Sequence, residues 1–146
     1  MEKTILGNDL EICRILNGMW QVAGGHGEID SELAIQDMKK YQESGFTTWD
    51  LADIYGPAES LIGEFSRKTE RNFQAFTKFV PNPGPMSSSI VTYYIDESLK
   101  KMNTDCIDLL QFHWWDYQDS SYLDALQHLS KLQNEGKIKH LGLTNF

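Results

Sequence analysis

The sequence predicts an α/β fold in which a parallel sheet is covered by helices. Short strand-like segments alternate with amphipathic helical segments at roughly even spacing, as in βαβ units. Two of the helical segments end in the same way, with a glycine at Gly45 and at Gly136. An open doubly wound sheet and a (β/α)8 barrel both fit this alternation, and only the loops after the strands can distinguish them.

Five segments rich in β-branched and aromatic residues predict the strands. A small hairpin, which turns at Gly7, Asn8 and Asp9, precedes the first of them. The predicted strands are residues 11–20, 46–50, 72–80, 106–114 and 139–146.

Four segments with apolar residues at helical spacing predict the helices between these strands. In the first helix Ile35 and Met38 lie on one face, and the second begins with Pro57, whose fixed φ suits a helix start. A serine among residues 87–89 caps the third helix. The predicted helices are residues 30–44, 57–69, 89–103 and 122–136.

Composition limits the classes of partner. The chain has 146 residues, 40% hydrophobic and 23% charged, which suits one globular domain. Its net charge of -8 argues against nucleic acid or an anionic membrane as the main partner, because both select a basic face.

The N-terminus lacks the apolar run of a secretory signal. We expect a cytoplasmic protein, or one of an organelle stroma if a transit peptide has been removed.

Two common site patterns are absent from the sequence. Cys13 and Cys106 belong to no metal-binding or disulfide spacing, so we expect two free buried thiols and no metal site. The glycines between residues 18 and 27 do not match either common phosphate-binding motif. This segment is therefore interpreted as a flexible loop after the first strand, which weakens the doubly wound alternative.

Ionisable and polar side chains stand at the C-terminal ends of consecutive predicted strands: Asp50, Lys78, His113 and Asn145. In a barrel these ends converge on one rim. Side chains alternate along a strand, so we expect Asp50, Lys78 and His113 at equivalent heights on three strands. Each alone has an ordinary structural explanation, but the coincidence of all three favours a site. A carboxylate near a core needs a cation, and Lys78 is predicted to pair with Asp50.

Tyr55 adds a proton donor to this rim. The Lys78 cation is expected to lower the pKa of the Tyr55 phenol, while Asp50 holds the lysine in place, so that Tyr55 becomes a usable general acid. A neutral His113 could donate a hydrogen bond to a substrate oxygen. Such a donor protonates an oxygen that gains negative charge, as in a carbonyl being reduced.

Four ordered segments, WDLADIYG, TKFV, QFHWW and GLTNF, resemble the signature segments of the aldo-keto reductase family. The resemblance implies a (β/α)8 barrel that binds NADPH without a Rossmann fold. It also implies that hydride passes from the nicotinamide to a carbonyl carbon while Tyr55 gives the proton. The implied catalytic tetrad is Asp50, Tyr55, Lys78 and His113.

The same resemblance assigns the residues around the tetrad. The implied cofactor-binding residues are Gly18, Met19, Asp50, Thr144 and Asn145, where Thr144 stands in place of a serine. The implied substrate-binding residues are Trp20, Tyr55, His113 and Trp114, with the two tryptophans lining an aromatic mouth suited to aldehydes or ketones. Trp115 is expected to be a half-exposed core aromatic.

A barrel of this type needs about 250 residues, and this sequence reaches only the fifth strand. We expect residues 1–146 to be the N-terminal part of a truncated reductase domain. Two alternatives stay open. The chain is either half of an enzyme completed by a partner chain that covers the open sheet edge, or a catalytically silent binding or structural subunit. The retained tetrad favours an enzyme.

Overall fold

The computed structural model describes residues 1–25 and 27–146, which form a two-stranded hairpin followed by a five-stranded parallel sheet with helices outside it. The hairpin strands are β1 (Lys3–Leu6) and β2 (Leu10–Cys13). The parallel strands are β3 (Asn17–Gly18), β4 (Thr48–Asp50), β5 (Gln74–Phe79), β6 (Ile107–His113) and β7 (Ile138–Thr144). The helices are α1 (Ser31–Glu43), α2 (Ala58–Lys68), α3 (Ser88–Met102) and α4 (Ser121–Asn134), and a 3-10 helix spans Trp20–Ala23.

The sheet order is the order of the chain, β3-β4-β5-β6-β7, and every neighbouring pair is parallel. One α-helix lies between each successive pair of these strands, and the 3-10 helix also lies between β3 and β4. This is the arrangement of part of a (β/α)8 barrel, so the predicted fold class is confirmed. Within the two described ranges, no helix combines the length and the apolar character needed to cross a bilayer.

The prediction of a single strand over residues 11–20 is wrong. Its first part is β2, which pairs antiparallel with β1, and its last part is β3, which pairs parallel with β4. Residues 14–16 between them are exposed and form a bend. The chain therefore leaves the hairpin at Cys13 and changes direction before it enters the main sheet, which one straight strand could not do.

The core divides according to which face of the sheet a side chain occupies. Towards the helices, two large clusters pack around Phe79, Phe112 and Trp114 and around Trp49 and Phe65. On the inner face, residues Leu10 and Ile12 of the hairpin pack on Phe76 and Leu109. The hairpin thus closes one end of the inner face, and the polar residues at the opposite, C-terminal strand ends remain free for a site.

The strands are staggered along the inner face. Asp50 lies opposite Phe76, and Lys78 lies opposite Gln111. Lys78 is therefore two residues further along than Asp50, and His113 is two residues further than Lys78. The prediction that these side chains stand at equivalent heights is wrong, because strands that curve into a barrel must be displaced against one another.

Both cysteines are free thiols, as the sequence predicts, but only Cys13 is buried. Cys106 directly precedes β6 and is partly exposed. The prediction of burial is therefore wrong for Cys106, since this residue lies at a strand start and not in the packed interior.

Gly63 of α2 marks the closest approach of two helices. A Cβ atom placed on Gly63 would overlap the carbonyl oxygen of Lys101 in α3. Replacement of Gly63 by alanine should therefore lower the free energy of unfolding by about 1–3 kcal/mol, because α2 and α3 must move apart. Urea denaturation measures this loss, with Gly25→Ala as the control, since a Cβ on Gly25 meets no atom within 4 Å. Equal effects of the two substitutions would contradict the expectation.

Candidate active site

An ion pair lies at the C-terminal ends of β4 and β5. Lys78 Nζ donates to Asp50 Oδ1 and to the carbonyl oxygen of Leu51, each at 2.7 Å. The pair that the sequence predicts is therefore present. The stagger between the strands does not prevent it, because the long lysine side chain spans two residues of register.

Gln111 joins this pair from β6. Its Nε2 donates to Asp50 Oδ1 at 3.3 Å, so the carboxylate oxygen receives hydrogen bonds from two strands. Gln111 was not among the predicted site residues, although alternation with His113 places both on the inner face. Its position opposite Lys78 follows from the register between β5 and β6, which a single sequence does not reveal.

Tyr55 lies in the loop between β4 and α2, beside this pair. Lys78 Nζ is 5.3 Å from the centroid of the Tyr55 ring. The Trp20 ring contacts the Tyr55 ring edge-on, with their centroids 5.0 Å apart. The structure thus brings Asp50, Lys78, Tyr55 and Trp20 together, as the sequence predicts.

The expected lowering of the Tyr55 pKa is wrong. Burial raises the pKa of the Tyr55 phenol above its usual value, and the Asp50 carboxylate raises that pKa further. The Lys78 ammonium donates to Asp50 and to the Leu51 carbonyl, so the adjacent carboxylate offsets its charge. Tyr55 is consequently a protonated phenol at neutral pH.

His113 lies at the end of β6 and is neutral at pH 7. Burial lowers the pKa of the His113 imidazole, and the nearby Lys78 cation lowers that pKa further. Its Nε2 hydrogen-bonds the side-chain amide of Asn145, and the Trp115 ring lies 4.9 Å away, centroid to centroid. His113 Nδ1 is buried and has no hydrogen-bond partner in the described parts of the chain.

The residues predicted to bind a cofactor fall into two groups. Gly18 lies opposite Asp50 on β3, whereas Thr144 lies opposite His113 on β7 and Asn145 follows it. Since β3 and β7 are the outermost of the five strands, the structure does not bring Gly18 and Asn145 together. The Asn145 carbonyl accepts a hydrogen bond from Tyr117 Oη at 2.9 Å, which helps to hold the end of β7.

Met19 differs from its predicted role in one respect. Its side chain is buried in the helix-facing core, so only its backbone faces the strand ends. The Met19 N–H donates to the carbonyl oxygen of Asp50 at 2.9 Å. A side-chain contact from Met19 to a ligand on the inner face is therefore excluded in this structure.

The prediction that Trp114 lines the substrate mouth is wrong. Alternation along the strand points His113 inward and Trp114 towards the helices, where the indole is 0% exposed and packs against Tyr122. Its Nε1 donates to the carbonyl oxygen of Asp116 at 2.6 Å. Trp115 is 47% exposed, as expected of a half-exposed aromatic, and it contacts the His113 ring. The aromatic neighbour of His113 on the rim is thus Trp115.

Comparison with known proteins shows which proteins this chain is similar to. The model of the aldo/keto reductase family matches residues 14–146. An aryl-alcohol dehydrogenase of Pestalotiopsis microspora is 31% identical over 146 aligned positions, which cover 89% of this chain and 37% of that protein. A 6-dehydroglucose reductase of Agrobacterium fabrum is 30% identical, with 100% of this chain and 54% of that protein covered.

Solved structures show the same fold. A thermostable aldo-keto reductase, Tm1743, in complex with the inhibitor epalrestat superposes with a TM-score of 0.85 and 24% identity, covering 100% of this chain and 54% of that one. The holo form of an aldo-keto reductase from Bacillus halodurans has a TM-score of 0.81 and 23% identity, covering 99% of this chain and 50% of that one. At these identities the likeness shows the fold alone.

The chain spans between about a third and just over half of the length of these curated relatives. The matched part nevertheless includes every strand of the parallel sheet and the whole of the rim described above. This chain belongs to the aldo/keto reductase family.

Proposed function

We propose that this chain takes part in the NADPH-dependent reduction of an aldehyde or ketone to an alcohol, with Tyr55 as the proton donor. The observation that carries the proposal is the protonated Tyr55 phenol held beside the Lys78–Asp50 ion pair at the strand ends. Membership of the aldo/keto reductase family supports an oxidoreductase reaction of this general type.

Tyr55 suits this role although its pKa is raised. An alkoxide is far more basic than a phenolate, so transfer of the phenol proton to a forming alkoxide is favourable. The carbonyl oxygen gains the proton, and water reprotonates the phenolate at the half-exposed rim.

His113 would orient the carbonyl. A neutral imidazole can donate one hydrogen bond, and a donor at Nε2 would fix the substrate oxygen next to Tyr55. In the structure the Asn145 amide occupies Nε2, so substrate binding would displace that contact. Lys78 and Asp50 would hold the rim in place during this exchange.

The rim also offers groups that fit the nicotinamide end of NADPH. Asn145 and Thr144 provide an amide and a hydroxyl of the kind that a carboxamide needs, and Asp50 provides an acceptor. A Cβ on Gly18 would meet no atom within 4 Å, so the backbone at Gly18 is open to close approach by a ligand. When bound, NADPH would supply the hydride that the carbonyl carbon accepts.

The aromatic rings on the rim favour a flat, apolar carbonyl compound. Trp20 is 54% exposed beside Tyr55, and Trp115 lies beside His113. An aromatic aldehyde could place its ring against either indole with the carbonyl towards the phenol. One relative is itself an aryl-alcohol dehydrogenase, which is consistent with this choice.

Purified protein mixed with NADPH and benzaldehyde tests the proposal. We expect loss of NADPH absorbance that depends on the aldehyde, with one benzyl alcohol formed for each NADPH oxidised. Parallel reactions with NADH determine the nucleotide preference. Absence of benzyl alcohol, together with NADPH fluorescence that the protein leaves unchanged, would overturn the proposal.

A partner chain that covers the edge of β7 is a second proposal. The outer edge of β7 has no neighbouring strand within the described residues, and Leu143 on this strand is exposed. An unpaired strand edge with apolar side chains favours association with another strand. The catalytically silent subunit is the alternative to the reductase, and the benzaldehyde reaction separates the two.

A further inference from the structure

Besides the contacts of Leu51, the loop that carries Tyr55 is attached to β5 through the backbone and side chain of Asp53. Its N–H donates to the carbonyl oxygen of Lys78, and its carboxylate Oδ2 accepts the N–H of Val80, each at 3.1 Å. In a parallel sheet, the backbone N–H and carbonyl of one residue bond to the two residues on either side of its partner in the neighbouring strand. The Asp53 carboxylate therefore takes the place of a backbone carbonyl and continues the sheet pairing three residues beyond β4.

Tyr55 follows Asp53 by only two residues, and both ends of this short span are fixed. The Tyr55 N–H donates to the carbonyl oxygen of Ala52 at 3.0 Å, and the Tyr55 carbonyl accepts the N–H of Ala58, the first residue of α2, at 3.0 Å. The two bonds of Asp53 hold the other end against β5, next to Lys78. The location of the phenol relative to the ammonium consequently depends on Asp53.

We propose that Asp53 is a positioning residue that fixes Tyr55 relative to Lys78 by clamping the loop to Val80. The clamp consists of the hydrogen bond from the Val80 N–H to the Asp53 carboxylate. Its consequence for the reaction rate rests on the proposed role of Tyr55, whereas its consequence for the position of the ring does not.

The clamp lies in an environment that disfavours a charged carboxylate. Asp53 Oδ1 is buried and has no hydrogen-bond partner in the described part of the chain. A second carboxylate, Glu59 of α2, is 2% exposed and accepts a hydrogen bond from Thr77. Lys101 of α3 lies 3.6 Å from Glu59 and is the cation of this cluster. Directly after β5 the facing group is the Val80 amide, and on the loop itself it is the amide of Ile54.

Ionisation of Asp53 therefore costs stability. Burial, with a further contribution from Glu59, raises the pKa of Asp53 from its ordinary 3.8 to about 6, although the two amides and Lys101 act in the opposite direction. Between these two values the folded state binds a proton that the unfolded state has lost, so stability falls as the pH rises from about 4 to about 6. Above that range the full cost is present.

Two substitutions of Asp53 distinguish the effect of its hydrogen bond to Val80 from the effect of its negative charge. Asp53→Asn keeps an oxygen that accepts the Val80 N–H but cannot ionise, whereas Asp53→Leu has a similar volume and removes both properties. At pH 7 Asp53→Asn should unfold at a higher temperature than the original protein, because it keeps the acceptor for the Val80 N–H and lacks the buried charge. Asp53→Leu also lacks the charge but leaves the Val80 N–H without its acceptor, so it should unfold at a lower temperature than Asp53→Asn.

Order at the clamp is measured without ligand by NMR. We expect the Val80 amide to exchange about tenfold faster or more in Asp53→Leu, since a hydrogen bond is lost, and the Tyr55 ring 13Cζ signal to shift. Asp53→Asn should retain slow exchange and the original signal. Asp105→Asn, at an exposed turn before β6, is the control and should change neither. Unchanged Val80 exchange and an unchanged Tyr55 signal in Asp53→Leu would overturn the inference.

The rate of benzaldehyde reduction gives a second readout. We expect a lower kcat with little change in KM for Asp53→Leu, and recovery of kcat in Asp53→Asn. A protein that reduces no aldehyde at all would contradict the proposed function, while the NMR comparison would still decide whether Asp53 positions Tyr55. If Asp53→Leu does not fold, Asp53→Ala takes its place, with the same two NMR results for and against.

Discussion

Replacement of Tyr55 by phenylalanine should lower the rate of aldehyde reduction by about 10²- to 10⁴-fold, the usual contribution of a general acid. Phenylalanine keeps the ring that contacts Trp20 but removes the hydroxyl proton. The forming alkoxide would then have to take its proton from water, which is not held in position. Initial rates of NADPH-dependent benzaldehyde reduction measure the effect.

Tyr94→Phe is the matched control for this substitution. Tyr94 is exposed on α3 and contacts Phe79, so its hydroxyl lies outside the rim and its loss should leave the rate unchanged. NADPH binding, followed by its fluorescence, should persist in Tyr55→Phe. A Tyr55→Phe protein that retains a tenth or more of the original rate would show that another group donates the proton.

Replacement of Lys78 by methionine should destabilise the fold by about 2–3 kcal/mol, somewhat less than the ~3–5 kcal/mol that a fully buried pair loses when one partner is removed. Lys78 is 14% exposed, and the Asp50 carboxylate would keep only its weaker hydrogen bond from Gln111. Denaturation in guanidinium chloride measures the loss. The double variant Lys78→Met/Asp50→Asn should recover part of it, because no unpaired charge then remains.

Lys40→Met provides the control for burial. Lys40 pairs with Asp37 at the same 2.7 Å, but both side chains are largely exposed on α1. Exposed ion pairs contribute little to stability, so this variant should unfold like the original protein. Equal losses of unfolding free energy in Lys40→Met and Lys78→Met would mean that the rim ion pair stabilises the fold no more than an exposed pair does. A double variant less stable than both single variants would also contradict the expectation.

The sequence allowed the fold class and much of the rim to be predicted because both depend on local pattern. Strand ends can be located from β-branched runs followed by turn residues, which placed Asp50, Lys78 and His113 on one rim. The need of a buried carboxylate for a cation then predicted the pair of Asp50 with Lys78. The resemblance of four ordered segments to one family predicted the barrel, and the family match over residues 14–146 confirms that family.

The rest depends on relations between strands that a single sequence does not contain. The stagger of Lys78 relative to Asp50 is set by the curvature of the sheet, and the rise in the Tyr55 pKa is caused mainly by burial. Trp114 is the exception, because the alternation rule already applied to Gln111 and His113 would have assigned it to the helix-facing core. The hydrogen bond from Val80 to the Asp53 side chain has no sequence signature.

Transfer of deuterium to benzaldehyde from NADPH that carries two deuterium atoms on its hydride-donating carbon tests the central claim most directly. We expect benzyl alcohol with one deuterium on the carbinol carbon from the original protein, and a yield near that of the protein-free reaction from Tyr55→Phe. Product without deuterium, or labelled product formed equally fast by Tyr55→Phe, would contradict the claim that this rim reduces a carbonyl with Tyr55 as the proton donor.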